Sequence, residues 1–439
     1  MGLSYSERLN LVIPGGAHTY SRGDDQFPSN APQVLSKGRG AYIYGPEGEK
    51  FLDYGMALRA VVLGYAQEEV NLAAIEQIHN GNNLTRASLV ELEAAEVMAG
   101  LIDSVDMVKF AKNGSSAVSG AVKLARAFTG RELVVRCLQH PFFSYDDWFI
   151  GSTVMNKGVP ENIKKQTLSF TYNDIASLEK VIAENPGDIA CVILEPATSD
   201  EPCASKYFPG KTFLHDVKHL CEKSGIVFIL DEMITGFRWD LQGAQKYYGV
   251  TPDLSTFGKG MANGFSLAAV VGKREIMELG STKKSGAERV FLLSSTHGAE
   301  MSSLGAFIKT VEILRRDKVI EHLWRYGNEL KTLGNELAVK HGISEHFRFM
   351  GPGCSPVYVA MDSTKNVSFE FRTLFSQEMI KNGVMMPWIA LSYAHTKAEL
   401  ELTKVALDKT FSIYAKALES GVGRFLEGPP IKPVFRKYN

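Results

Sequence analysis

The sequence predicts an α/β protein with a large domain, in which a mostly parallel sheet lies between helices, and a small α+β domain. Three observations carry this. Short apolar runs ("MVKFA", "LVVRC", "ACVILE", "IVFIL", "LSTF", "LAAVV") alternate with helical stretches from residue 107 to 271, the pattern of buried parallel strands. Beyond residue 305 the pattern turns to long helices ("AFIKTVEILRRDKVIEHLWRYGNELKTLGNELAVKHG") followed by "PVYVAM". At 439 residues the chain exceeds one ordinary domain.

Residues 1–55 are rich in turn formers, and "YIYGPEGEKFLDY" reads as two short strands around a Pro-Glu-Gly turn, an arm followed by a hairpin. The alternating strands and helices come next, and a last long helix is expected over 396–418. The domains expected are 1–60 (the arm and part of the small domain), 61–320 (the large domain) and 321–439 (the C-terminal small domain). No internal repeat or low-complexity tract interrupts them.

Composition narrows the partners. Hydrophobic residues at 45%, charged residues at 22% and a net charge of −1 describe a globular chain with no field for nucleic acid or an anionic membrane. Five cysteines, odd in number and without C-x-x-C, argue against a disulfide framework or a zinc knuckle. The start, "MGLSYSERLNLVIPGG", lacks the apolar run of a signal peptide, so a cytoplasmic protein is expected. Its match to an acylation pattern has no polybasic segment behind it and is set aside.

Several motifs fail on inspection. "PGKT" ends like a phosphate-binding loop, but the required first glycine falls at Ser205. "GKGMANG" places its last glycine one residue late for dinucleotide binding. His215 and His219 share a helix face without a third ligand, and no metal is expected.

One constellation survives. "VTPDLSTFGKGMANGFSLAAVVG" sets Lys259 among glycines and small apolar residues, where an ammonium is costly unless it is paired or neutral. Upstream, the apolar strand in "GIVFILDEMITGFRWD" ends at Asp231, the end from which open α/β sheets reach their ligands. In "FAKNGSSAVSGAVKLARAFTG" a strand leads through Gly114, Ser115 and Ser116 into an amphipathic helix whose free amides and hydroxyls suit a phosphate. Each piece alone has an ordinary reading: a helix cap, a turn, a surface lysine. Together they meet the needs of pyridoxal phosphate, namely a phosphate anchor, an anion for the pyridine nitrogen and an amine to bond the aldehyde.

These segments make the chain resemble the class III, fold-type I pyridoxal-phosphate-dependent aminotransferases, most of all the glutamate-1-semialdehyde aminomutase-like branch, along nearly its whole length. "LDEMITGFR" looks like the family's D-E-V-x-T-G-F-R, and "PDLSTFGKGMANGFSLAAVVGKREIM" resembles its lysine segment. "KNGSSAVSGAVKLARAFTGR" is similar to S-G-T-E-A-x-x-x-A-x-x-x-A-R-x-x-T-G-R. The resemblance implies a homodimer with shared active sites and a small domain made from both chain ends. It implies Lys259 as the Schiff-base lysine, Asp231 as the partner of the pyridine nitrogen and Met233 as the residue packed under the ring. "HPFFSYDDW" stands where the family has Y-H-G-x-H-D-W, which gives Phe142 the ring-stacking position. Thr296 in "SSTHGAEMSSLGAF" matches the threonine that caps the neighbouring subunit's phosphate, and Glu195 in "VILEPAT" matches the glutamate-proline. "IPGGAHTYSRG" keeps the spacing of P-G-G-x-x-S-P-x-R, so Arg22 resembles the arginine that grips the substrate carboxylate, a task suited to a bidentate guanidinium.

The departures concern the substrate. Leu58 replaces the aminomutase aromatic, Ser116 the phosphate-loop glutamate, and Pro387 a functional glutamate. The expected activity is therefore amino transfer from an amino acid, glutamate by resemblance, to an aldehyde or ketone. With Phe142, Phe143, Tyr145, Trp388 and Tyr393 near the expected pocket, an oxidised sugar or sugar acid is the acceptor suggested. A 2,1-aminomutase, which keeps its intermediate bound, is the alternative.

Overall fold

The computed structural model describes residues 2–283, 285–286 and 288–438. The strands near the N-terminus are β1 (Lys37–Arg39), β2 (Tyr42–Tyr44) and β3 (Lys50–Asp53). The middle of the chain forms β4 (Met107–Ala111), β5 (Leu133–Cys137), β6 (Thr167–Phe170), β7 (Ile189–Leu194), β8 (Val227–Glu232), β9 (Leu254–Phe257) and β10 (Ala268–Gly272). The last are β11 (Phe347–Met350), β12 (Val357–Ala360) and β13 (Val384–Met385). The chain divides into two compact units, one of residues up to Gln67 together with those from Glu321, the other Glu68–Ile320.

In the Glu68–Ile320 unit seven strands form one sheet in the order β4-β10-β9-β8-β7-β5-β6. From β9 to β6 every pairing is parallel, whereas β10 runs antiparallel to both neighbours. Both faces are covered, and strand alternation shows how. Val192, Leu194, Phe228 and Leu230 join one apolar cluster with Phe213, Leu214 and Val217 of helix Phe213–Ser224. Their neighbours Ile193, Ile229 and Asp231 therefore face the other side, as the period of two requires. Helix Gly114–Thr129, which packs on β7, β9 and β10, buries Val118, Ala121, Val122 and Ala125. Gly130 ends it in the left-handed conformation (φ 68°).

The sequence reading found six of these seven strands and missed β6. "TLSF" lies at the sheet edge, mixes polar with apolar residues, and is too short for periodicity to mark.

The other unit holds the sheet β1-β2-β3-β13 and the pair β11-β12. The hairpin β2-β3 is antiparallel, and β13, from far along the chain, joins it parallel to β3 with Leu52 opposite Val384 and Asp53 opposite Met385. Helix Lys397–Ser420 starts with a capping box between Thr396 and Glu399. Among the described residues no helix is long and apolar enough to cross a membrane.

Candidate active site

In the Glu68–Ile320 unit, β8 carries Asp231 into the interior at its C-terminal end. The carboxylate accepts hydrogen bonds from the Met233 amide and from the hydroxyl of Thr256, its register partner on β9, both at 3.0 Å. Burial pushes its pKa up to about 6, and the positive charge of Lys259 pulls it the other way. The next residue, Glu232, faces away from it. Glu232 accepts from the Ala244 and Gln245 amides and from the Thr235 hydroxyl, and burial raises it to about 7. It thereby ties down the turn that follows Asp231.

Lys259 begins a short 3₁₀ turn with φ 44°, a left-handed conformation rare for a side-chain-bearing residue and common at functional sites. Gly258, Gly260, Met261 and Ala262 are buried, while Lys259 itself is half-buried. The sulfur of Met233 lies so close to two glycines that a Cβ built on Gly258 would sit 2.6 Å from it, and one on Gly114 2.9 Å. Met233 thus packs at once against the start of helix Gly114–Thr129 and the residue before Lys259. The three separated segments of the sequence constellation meet around one thioether.

Helix Gly114–Thr129 is capped by Asn113, whose side chain accepts from the Ser116 amide, and not by the serines. Buried Ser115 accepts from the Tyr145 amide through its hydroxyl, and Ser116 lies 3.3 Å from the Tyr145 hydroxyl. Ser144 donates to the Ser115 carbonyl, so the loop bearing Phe142 is fastened to the helix start. Phe142 is 46% exposed and packs edge-on against Phe149, whereas Phe143 is buried against His140 and Phe149. Buried Glu195 follows β7, its amide donating to Nδ1 of His140 at 2.9 Å. Burial, aided by the charge of Arg136, pushes His140 down to about 3, which keeps the imidazole a neutral acceptor. Exposed Thr296 sits in a turn held by Asn83, whose amide donates to the Thr296 carbonyl and meets the His297 ring. The Lys112–Glu300 ion pair and the Asn82 bond to Glu300 hold the same segment.

Arg22 belongs to the other unit, in the 3₁₀ turn Tyr20–Arg22, where it lines a chamber of about 630 Å³. Leu58, Pro387 and Trp388, three positions that the sequence ties to the substrate, line the same chamber. Tyr393 does not; its ring packs edge-on against His322. The chamber wall includes a turn in which Met56, Ala57, Leu58 and Arg59 all have positive φ (40°, 49°, 65° and 68°). Buried Asp53 restrains it, accepting from the Gly55 amide at 2.7 Å and the Met56 amide at 2.9 Å. The Tyr65 hydroxyl donates to Asp53 at 2.6 Å and accepts from the Ala57 amide at 2.8 Å.

Sequence reading missed Asp53, Tyr65, His140, Asn83 and Asn113. No motif marks them: Tyr65, His140 and Asn83 bond partners distant in the chain, Asp53 sits within a short loop, and Asn113 stands beside serines that are equally good caps. Of the two helical histidines, His215 bonds Thr212 and the Gly249 carbonyl, and His219 packs edge-on against Tyr207 and Phe208.

The seven-stranded, mostly parallel sheet with a lysine and a carboxylate at strand ends defines an α/β transferase fold. A model of the class-III aminotransferases matches residues 23–418, and the chain belongs to that family. It is a pyridoxal-phosphate-dependent aminotransferase acting on small-molecule amino and carbonyl compounds. It is 29% identical over 420 residues to the 3-aminobutyryl-CoA aminotransferase of Cloacimonas acidaminovorans (strain Evry), covering 95% of this chain and 98% of that one. The solved structure of the FumI protein of Sphingopyxis sp. MTA144, in its PLP internal aldimine form, matches with TM-score 0.84 and 27% identity over 95% and 97% of the two chains. A glutamate-1-semialdehyde-aminomutase from Pseudomonas aeruginosa PAO1 matches with TM-score 0.80 over 93% and 94%, but at 18% identity that likeness shows the fold and not the branch.

Proposed function

We propose that this aminotransferase moves an amino group from an amino-acid donor, glutamate by family resemblance, to a separate aldehyde or ketone acceptor, with Lys259 and Asp231 as its catalytic residues. The observation that carries this reading is the meeting of Asp231, the residue before Lys259 and the helix start at Gly114 around Met233. The donor set fits pyridoxal phosphate, because a buried carboxylate with a raised pKa is stabilised by a cationic ring nitrogen. Gly258 and Gly114 let the Met233 thioether pack closer than a Cβ at either position would allow, which draws the segments around it together.

When bound, the cofactor supplies the electron sink that makes a proton on the amine-bearing carbon removable. Lys259 would hold the cofactor through its amine and, once freed, would serve as the base that takes up and returns that proton. Asp231, a buried carboxylate, would keep the cofactor's ring nitrogen protonated. The helix start at Gly114, Ser115 and Ser116 would bind the phosphate through amides and hydroxyls, and Thr296 of a second copy would cap it. Met233 and Phe142 would pack against the cofactor ring and Glu195 would border it. Arg22 orients the substrate through its carboxylate.

A homodimer is supported by an apolar stripe, Leu72, Ile75 and Ile78 on helix Glu68–His79 at 58%, 45% and 52% exposure, with Leu89, Leu92 and Phe291 also exposed in that unit. The free thiols of Cys137, Cys191, Cys221 and Cys354 suit the reducing cytoplasm. Pro387 and Leu58 support transfer between two substrates over the aminomutase alternative.

The test is borohydride reduction of the purified enzyme followed by peptide mass spectrometry, then a screen of α- and β-amino donors read by the cofactor's visible band. The pyridoxyl label belongs on Lys259, and Lys259→Ala loses the band. A label on another lysine removes the assignment. Turnover of glutamate-1-semialdehyde with no added donor restores the aminomutase.

A further inference from the structure

The chamber lined by Arg22 has a divided chemistry. Its volume of about 630 Å³ falls in the range of roughly 300–1,000 Å³ that houses drug-sized ligands, more than a small amino acid fills. Most of its polar side chains are already engaged by the protein. Asp53 takes two backbone amides and the Tyr65 hydroxyl, and Asp24 takes the Ser6 hydroxyl and the Asn10 amide. The Ser36 hydroxyl turns to the Tyr44 and Gly45 carbonyls, and the Trp388 indole donates to the Gly55 carbonyl. Lys37 lies over the Tyr44 ring. Arg22 differs: among the described residues its side chain has no hydrogen bond and no ion pair, although its charge reaches the Tyr65 hydroxyl. The remaining wall is mostly apolar or aromatic, with Phe27, Val34, Leu58, Met385, Pro387 and the Trp388 ring, and includes Ser29 and Gln33, the latter accepting from the Ser6 amide.

We propose that this chamber selects an amphipathic carboxylate, an acid whose anion pairs with Arg22 and whose bulky body is apolar, as one substrate of the amino transfer. The proposal rests on the reading of Arg22 as the residue that grips the substrate carboxylate. A guanidinium that forms no ion pair within the protein can bind an anion by two parallel hydrogen bonds. The surrounding apolar wall gains from an apolar body and penalises hydroxyls, which find few free partners there. The sugar acid suggested by the sequence is thus the disfavoured ligand. The aromatics that suggested it are either outside this chamber or, as with Trp388, have their donor already occupied.

The experiment is calorimetric titration of the holoenzyme with three probes that carry no amine and so cannot react: 4-phenylbutyrate, gluconate and 4-phenylbutan-1-ol. The expected result is 4-phenylbutyrate binding at least tenfold more tightly than either of the others. Arg22→Gln should abolish that preference over the alcohol. Leu58→Asn, which suits the left-handed backbone at this position, should weaken 4-phenylbutyrate several-fold with an unchanged melting temperature. Gluconate binding as tightly as 4-phenylbutyrate, or an Arg22→Gln protein with unaltered affinities, overturns the proposal. If amino donors convert the cofactor while 4-phenylbutyrate does not bind, the chamber proposal falls and the aminotransferase reading stands. If the binding pattern holds but no donor converts the cofactor, the functional reading falls.

Discussion

Tyr65→Phe removes one oxygen and two hydrogen bonds from the turn that walls the chamber. The first is donated to Asp53 at 2.6 Å, a bond to a buried carboxylate, worth about 1.5–3 kcal/mol. The second is accepted from the Ala57 amide at 2.8 Å, at a half-buried residue that water can partly satisfy, worth about 0.5–1 kcal/mol. The sum is a loss of about 2–4 kcal/mol, increased by the four left-handed residues that the bonds restrain. At roughly 2–4 °C per kcal/mol for a unit of this size, the unit holding Tyr65 should melt about 5–15 °C earlier. The loss should depend on pH with a definite sign. Burial raises the Asp53 pKa and the Tyr65 hydroxyl opposes that rise, so removing the hydroxyl raises it further. The cost of the substitution is therefore largest with Asp53 ionised and shrinks as acid protonates it in the folded state. Urea and thermal unfolding of Tyr65→Phe, Asp53→Asn and the double variant measure this as a coupling energy. A single-variant loss below about 1 kcal/mol with a coupling near zero would refute the idea that this hydroxyl holds the turn.

Three further outcomes are expected. In cofactor-free protein the raised pKa of Asp231 contributes stability at acid pH that is lost as pH rises from about 4 through about 6, so Asp231→Asn should gain stability relative to wild type between about pH 4 and pH 7, by about 1–3 kcal/mol, and parallel melting curves would count against it. Gly258→Ala places a Cβ 2.6 Å from the Met233 sulfur in an extended backbone that accepts any residue; it should weaken cofactor retention about tenfold, partly restored by Met233→Ala and measured by absorbance after dialysis. Asn83→Ala should speed cofactor loss several-fold while changing stability by less than about 1 kcal/mol, and unchanged retention would leave the Thr296 turn without a role in the phosphate site.

The sequence by itself determined the class of chain and the ingredients of its chemistry. Apolar runs such as "IVFIL" and "ACVILE" admit little but buried strands, and a carboxylate ending one run with a lysine after the next leaves few reasons for either to be there. These signals are local, so a linear reading captures them. The edge strand Thr167–Phe170 escaped because its residues are only half committed to burial, and the Asn113 cap escaped because the adjacent serines are equally good candidates.

Only the tertiary structure decided what surrounds those ingredients. The Met233 wedge exists because three strand ends meet, and the neutral His140 acceptor exists because β7 delivers the Glu195 amide to it. The chamber shows the reason most plainly. Leu58 and Pro387 are far apart in the chain, and they share a wall because β13 pairs parallel to β3, setting Met385 beside Asp53. That pairing uses backbone hydrogen bonds, which every residue can offer, so no side-chain pattern in either segment announces the other.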